Sequence, residues 1–256
     1  MMTRTALVCL GPGSAGAFES RQTPRRNPVA DEVAITVAAA SVNPVDVRRA
    51  EGYGLRLLSL LGAGKFPMVL GNDFAGTVAS VGARVSTFKP GDRVYGVKPT
   101  SSDGTHASHT LVKAALVLQA PDGSNLQALA AIPYSFVTMW RAVRGAGLTR
   151  ENAAGRRVLV HGAAGGLGTL ALQMLTTWGA KITAIARPPT VAGCLAAGVT
   201  EVLDGTKQPF ASLGRAFSLI ERQRLSLPIA IRKPLDQADG ADAAAAYARL
   251  VDSRAS

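Results

Sequence analysis

The protein has 256 residues and a strongly basic balance, with 28 Lys and Arg against 17 Asp and Glu and a formal net charge of +11. This length suits one large domain or two smaller ones, and a hydrophobic fraction of 47% excludes a disordered or collagen-like chain. Two cysteines, Cys9 and Cys194, exclude a four-thiolate zinc or iron–sulfur site, and no apolar run approaches the roughly 18–20 residues that cross a bilayer.

Short strands separated by turns are predicted between about residues 30 and 120. Val33, Ile35 and Val37 alternate with small or polar residues, which is the period-2 pattern of a half-buried strand. Further strands are predicted at 74–81, 94–97 and 111–113. Several short strands without long intervening helices indicate a small β-barrel or β-sandwich.

The pattern changes after residue 121, where longer helical segments begin. A helix is predicted at 136–143, a buried strand at 157–161 and an apolar helix at 169–178. Two more strands follow, at 181–186 and 201–204. Strand, glycine loop, helix and strand in this order predict a βαβ unit, and therefore a parallel sheet of the α/β class.

The glycine loop at 162–168 is the most informative segment of the chain. Its positions Ala163, Gly165 and Gly168 align with the three glycines of the dinucleotide-binding fingerprint. Glycine lets the backbone approach a pyrophosphate, and the N-terminus of the following helix offers N–H groups and a partial positive charge. The alternative is a turn that only packs helix on strand. The predicted cofactor-binding residues of the loop are Ala163, Ala164, Gly165, Gly166, Leu167 and Gly168.

The charges after the loop favour NADPH over NADH. An NAD-preferring site places an Asp or Glu about 20 residues beyond the loop to accept a hydrogen bond from the ribose 2′-hydroxyl. The chain has no acidic residue from Asn152 to Thr200, and Arg187 follows the second strand. A guanidinium there would pair with a 2′-phosphate. The alternative is an exposed arginine at a strand end.

Five segments follow one another along the chain: VNPVD (42–46), GNDFAG (71–76), FKPGDRV (88–94), PYSFVTMW (133–140) and residues 158–168. In this order they resemble the zinc-independent NADPH:quinone oxidoreductases of the medium-chain dehydrogenase/reductase superfamily, and among them the reticulon-4-interacting oxidoreductases. The resemblance implies a GroES-like β-barrel domain at 1–124 and a Rossmann NADPH-binding domain at 125–256. It also implies hydride transfer to a small quinone or activated enone, and a homodimer.

The resemblance also bears on metal and on catalytic residues. Asn43 and Asn72 stand where zinc-dependent relatives carry a cysteine and a histidine ligand, and Asn is a poor zinc ligand, so no metal site is predicted. His106 and His109 are interpreted as surface or packing residues. By resemblance, Asn43, Asp46 and Tyr53 are the candidate catalytic residues, and Thr138 is a nicotinamide-side contact. Alternatively, Asp46 only caps a turn and Tyr53 is ordinary cleft wall.

The chain departs from the family after about residue 205, where two or more βα units are expected to be missing. The Rossmann domain is therefore predicted to be truncated, with the adenosine half intact. Segments at 219–225 and 235–252 resemble late helices of the family, and residues 229–231 resemble a strand. The leucine-rich segment 54–65 is a candidate cleft wall, and the alternative is a core helix.

These observations leave three hypotheses for function. The first is an NADPH-dependent oxidoreductase, the second an NADPH-binding sensor or scaffold without turnover, and the third an RNA-binding relative. Nucleic acid is disfavoured because the basic residues form no dense tract with interleaved aromatics. A cytoplasmic location is expected, and the alternative is an organellar transit peptide in the Arg-rich segment 4–26.

Overall fold

The computed structural model describes residues 2–13, 18–54 and 65–206, together with the backbone of residues 229–230. The chain divides into two compact units. Unit 1 contains residues 1–134 and 228–256, and unit 2 contains residues 135–227. The sequence suggested a domain boundary between residues 124 and 125, and this boundary stays a prediction.

The described part of unit 1 contains antiparallel strands and two short α-helices. The helices are α1 (Pro44–Ala50) and α2 (Leu126–Leu129). The strands are β1 (Thr3–Cys9), β2 (Phe18–Pro24), β3 (Glu32–Ala39), β4 (Ser41–Val42), β5 (Met68–Val69), β6 (Asp73–Val81), β7 (Arg93–Val97), β8 (His109–Lys113) and β9 (Val117–Gln119).

The largest sheet of unit 1 has the strand order β8-β3-β6-β7-β9, and every neighbouring pair is antiparallel. A second sheet has the order β2-β1-β5. The alternating residues of β3, Val33, Ile35 and Val37, are buried in one apolar cluster with Phe74 and Val94. Alternation along β3 therefore arises because one face of the sheet covers the core, and the predicted β-rich region is confirmed.

Unit 2 contains a parallel sheet with helices packed against it. Its elements in chain order are α3 (Pro133–Gly145), β10 (Arg157–His161), α4 (Gly166–Thr177), β11 (Lys181–Ala186), α5 (Val191–Ala196) and β12 (Glu201–Asp204). The first two residues of α3 belong to unit 1. The strand order is β10-β11-β12, and both pairs are parallel. Leu172 and Leu175 of α4 pack with Ile182 and Ala184 of β11 in the core. The predicted α/β class is confirmed for unit 2, beside the β-rich unit 1.

Some expectations fall outside the described residues. The leucine-rich segment from 55 to 64 and the segments at 219–225 and 235–252 are among them. Within the segment 229–231, Ile229–Ala230 forms a short strand, β13, that pairs antiparallel with β4. In the part of the chain that is described, no helix is long and apolar enough to cross a membrane.

Candidate functional site

A buried polar network surrounds the start of α1 in unit 1. Asn43 is the N-cap residue, and Asp46 stands three residues later in the first turn. The Asp46 carboxylate accepts hydrogen bonds from the backbone N–H of Asn43 at 2.8 Å and from that of Gly71 at 3.0 Å. This is the reciprocal half of a capping box, so Asp46 both holds the helix start and fixes the turn at Gly71. Burial raises the pKa of the Asp46 carboxyl above its usual value.

Asp73, the first residue of β6, is the centre of this network. Its Oδ2 accepts hydrogen bonds from the Ser41 hydroxyl at 2.5 Å and from Asn43 Nδ2 at 2.8 Å. Its Oδ1 accepts from the backbone N–H of Tyr134 at 2.6 Å. Burial raises the pKa of Asp73 to about 7, although the three donors oppose this, and the nearby charge of Asp46 adds to the rise. Asp73 is therefore a carboxyl group that exchanges its proton near neutral pH.

The neighbouring turn leaves no room for a side chain at Gly71. Gly71 has a φ of +99°, and a Cβ there would lie 2.4 Å from Thr105 Oγ1 and 2.5 Å from His106 Cδ2. The His106 ring is fully buried, and its Nε2 lies 2.9 Å from the Ser41 carbonyl oxygen. Glycine at 71 thus lets the turn approach His106 and places the Gly71 N–H against Asp46.

The two asparagines at the positions of zinc ligands are held by protein contacts. Asn43 Nδ2 donates to Asp73 and also to the Ser41 hydroxyl, at 3.0 Å. Asn72 Nδ2 donates to the carbonyl oxygen of Lys98 at 2.9 Å. Among the described residues, no group of three His, Cys, Asp or Glu side chains could hold a metal ion.

The three candidate catalytic residues do not share one environment. Asn43 and Asp46 are buried side by side, whereas Tyr53 is 66% exposed. The Arg48 guanidinium lies over the Tyr53 ring, 5.6 Å from its centroid. Asn43 and Asp46 are thus placed to orient other groups, and Tyr53 is the one candidate whose hydroxyl is accessible.

Ser41, Asp73 and Tyr134 were not among the site residues expected from the sequence. The sequence does carry a signal for Asp73, because a carboxylate precedes the apolar residues Phe74 and Ala75 at the start of a predicted strand. Its partners were not predictable, because Ser41 and Tyr134 lie 32 and 61 residues away along the chain.

In unit 2 the glycine loop connects β10 to α4. Gly162 has a φ of +68°, and the N–H of Gly165 donates to the Gly162 carbonyl at 3.0 Å. Gly165 is the N-cap of α4, and the N–H of Thr169 makes a helical bond back to it at 2.8 Å. The N–H groups of the first helical turn, at residues 166–168, therefore precede the intrahelical ladder and point out of the helix end.

Two positions of the loop show why its residues are small. A Cβ at Gly168 would lie 2.3 Å from the Gly162 oxygen and 2.6 Å from the Ala163 Cα, so only glycine lets α4 pack this closely on the loop. A Cβ at Gly162 would meet no atom within 4 Å. The third glycine of the fingerprint is thus required because α4 packs closely on the loop, whereas Gly162 is favoured by its left-handed backbone and not by a close contact.

Arg187 lies at the same edge of the parallel sheet as the glycine loop. His161, the last residue of β10, pairs with Ile185 of β11, and the N–H of Ala163 donates to the Ile185 carbonyl at 3.2 Å. Arg187 follows the end of β11 and is exposed. The structure thus brings the predicted loop residues and Arg187 to one carboxyl edge, where α/β folds bind ligands.

Thr138 occupies a different element of unit 2. It lies on α3, is half-buried, and precedes Met139, which packs in the core of the unit. Its role as a nicotinamide-side contact stays a prediction.

The sequence matches known proteins over much of its length. The Alcohol dehydrogenase GroES-like domain family matches residues 29–122. The mouse protein named NAD(P)H oxidoreductase RTN4IP1, mitochondrial, is 36% identical over 185 residues, which are 69% of this chain and 47% of that protein. The Arabidopsis thaliana chloroplast envelope quinone oxidoreductase homolog is 28% identical over 228 residues, covering 87% of this chain and 68% of that protein. The chain therefore spans about half the length of its mouse relative.

The fold also matches solved structures. The quinone oxidoreductase from Coxiella burnetii superimposes with a TM-score of 0.73 at 24% identity, covering 83% of this chain and 66% of that one. The fold and the similar proteins agree. Unit 1 corresponds to the GroES-like domain, and unit 2 has a glycine loop that precedes a helix packed on a parallel sheet. Residues 29–122 therefore match the Alcohol dehydrogenase GroES-like domain family, and the chain is similar to an NAD(P)H oxidoreductase and to quinone oxidoreductases.

Proposed function

We propose that this protein is a zinc-independent, NADPH-dependent oxidoreductase that transfers a hydride to a small quinone or activated enone. The observation that carries the proposal is the shared sheet edge of unit 2, where the glycine loop, the N-terminus of α4 and Arg187 lie together. The mouse relative is named an NAD(P)H oxidoreductase and the Arabidopsis relative a quinone oxidoreductase homolog, which supports the reaction class.

The loop geometry fits a dinucleotide pyrophosphate. The N–H groups of residues 166–168 and the positive end of the α4 dipole offer hydrogen bonds to an anion, and no side chain at Gly165 or Gly166 stands in front of them. Arg187 would pair with the 2′-phosphate that distinguishes NADPH from NADH. Strand β11 itself contains no carboxylate, and the nearest strand-end carboxylate is Asp204 of β12, opposite Ala186. When bound, a reduced nicotinamide supplies the hydride.

The residues of unit 1 supply positioning and proton chemistry rather than a Lewis acid. Asn43 and Asp46 hold the start of α1 and the Gly71 turn in place through the contacts described above. The exposed Tyr53 hydroxyl is the group we assign to donate a hydrogen bond to the acceptor oxygen as negative charge develops there. Asp73, with a pKa of about 7, is able to exchange a proton with the network at neutral pH.

The test is a titration of the purified protein with NADPH and NADH, followed by nicotinamide fluorescence, with a 1,4-benzoquinone added at saturation. We expect tighter binding of NADPH and quinone-dependent oxidation. Arg187→Glu should weaken NADPH binding roughly 10- to 100-fold, the value of one or two charge-assisted hydrogen bonds, and leave NADH binding little changed. The matched control is Arg150→Glu, an exposed arginine that precedes β10.

Two results would count against the proposal. Equal affinity for NADPH and NADH would remove the role of Arg187, and binding without oxidation would favour the sensor or scaffold hypothesis. A homodimer and the cytoplasmic location remain predictions, and the names of the mouse and Arabidopsis relatives place those proteins in mitochondria and at the chloroplast envelope.

A further inference from the structure

Unit 1 contains a cavity of about 330 Å³ that is separate from the α1 network. It lies among Arg4 of β1, the end of β2, strand β8 and residues 98–103. A volume of this size accommodates a small organic molecule. The lining contains five cationic residues and one acidic residue. The cationic residues are Arg4, Arg25, Arg26, Lys98 and Lys113, and the acidic residue is Asp103.

Lys98 is the buried cation of this cavity. Lys98 is 7% exposed, and its ammonium donates a hydrogen bond to the Thr110 hydroxyl at 2.9 Å. Within the described residues the ammonium forms no ion pair. An ammonium has three N–H donors, so two of them remain available to an anion. Burial lowers the pKa of Lys98 to about 8. An ammonium kept in this environment is stabilised most by an anion brought from solution.

The acidic groups near the cavity are already engaged by other cations. Asp103 pairs with Arg4, whose guanidinium also donates to the carbonyl oxygen of His109 at 2.8 Å. Arg26 pairs with Glu32, and the exposed Lys113 lies 3.9 Å from Asp31. These pairs leave the charge of Lys98 and that of the half-buried Arg25 without a carboxylate partner in the described part of unit 1.

Two further groups in the lining of the cavity are affected by the excess of positive charge. The Nε atom of Arg25 is buried and has no hydrogen-bond partner. The pKa of His109, which also lines the cavity, is lowered by burial and by the charges of Arg25 and Arg4. The half-buried apolar residues Leu111 and Leu116 complete the wall. The cavity therefore offers unsatisfied donors at one part of its lining and an apolar surface at another.

We propose that this cavity is a binding site for a small organic oxyanion, with a phosphate or carboxylate head bound by Lys98 and Arg25 and an apolar body against Leu111 and Leu116. The site is independent of the NADPH site proposed for unit 2. The head group forms charge-assisted hydrogen bonds with donors that the protein leaves unused, and the apolar wall selects against a bare inorganic ion.

The experiment uses three probes on the full chain: phenyl phosphate, benzoate and inorganic phosphate, titrated by calorimetry. We expect phenyl phosphate or benzoate to bind at least tenfold more tightly than inorganic phosphate, and the tighter of the two identifies the head group. Lys98→Met should weaken that probe at least tenfold. Lys89→Met, which changes an exposed lysine of a surface turn, should leave its affinity unchanged.

Histidine signals locate the bound probe, because the chain has three histidines. In imidazole ¹H–¹⁵N spectra, His109 should shift on titration, whereas His161, beside the glycine loop, should not. The proposal is overturned if His161 shifts and His109 does not, if Lys98→Met binds as tightly as the parent, or if no probe binds. Thermal unfolding shows whether Lys98→Met is folded. Its unfolding temperature should be higher than that of the parent, because the substitution removes a buried ammonium.

Discussion

Replacing Asp73 by Asn should change how the stability of unit 1 depends on pH. In the folded protein burial raises the pKa of Asp73 from 3.8 to about 7. Between these two values the unfolded chain releases a proton that the folded chain keeps, so the free energy of unfolding falls as pH rises. The difference of about 3 pKa units, at about 1.4 kcal/mol each, amounts to about 4 kcal/mol. Asn at this position has no proton to lose.

The free energy of unfolding of Asp73→Asn, minus that of the parent, should therefore rise by about 4 kcal/mol between pH 4 and pH 8, with most of the change between pH 4 and pH 7. Any fixed cost of the amide, which meets three donors, is the same at every pH and cancels. Asp46 titrates in both proteins, so its contribution cancels to first order.

The assay is urea unfolding at half-unit pH steps, followed by far-ultraviolet circular dichroism. Tryptophan fluorescence is unsuitable because Trp140 and Trp178 both belong to unit 2. Asp122→Asn, at an exposed carboxylate, is the matched control and should follow the parent at every pH. A difference that stays constant from pH 4 to pH 8 would refute the assignment of a raised pKa to Asp73.

Three further substitutions test other parts of the structure. Arg49 is 4% exposed, and among the described residues its Nε and Nη1 have no hydrogen-bond partner while Nη2 contacts Met68 Sδ, so Arg49→Met should raise the free energy of unfolding by roughly 1–3 kcal/mol in urea titrations. Gly168→Ala forces a Cβ against the Gly162 oxygen and should lower the unfolding temperature of unit 2 by tryptophan fluorescence, whereas Gly193→Ala, with no atom within 4 Å, should not. Tyr53→Phe should slow quinone reduction about tenfold or more at unchanged stability; unchanged turnover would end its proposed role.

Local patterns accounted for much of the fold. The alternation of Val33, Ile35 and Val37 predicted β3 because one sheet face covers the core. The order of strand, glycine loop and helix predicted β10, α4 and the parallel pairing with β11, because a right-handed crossover is nearly obligatory. Gly168 is required by a contact only a few residues away, so its importance was visible in the sequence.

The sequence by itself therefore determined the two kinds of sheet and the cofactor loop, because each depends on residues close together in the chain. The tertiary structure alone decided which charged groups are buried and what they contact. Asp73 meets donors from Ser41 and Tyr134, and Lys98 loses water without gaining a carboxylate. Desolvation depends on every segment that packs around a group, so the proton affinity of Asp73 and the unused donors of Lys98 arise only in the folded chain.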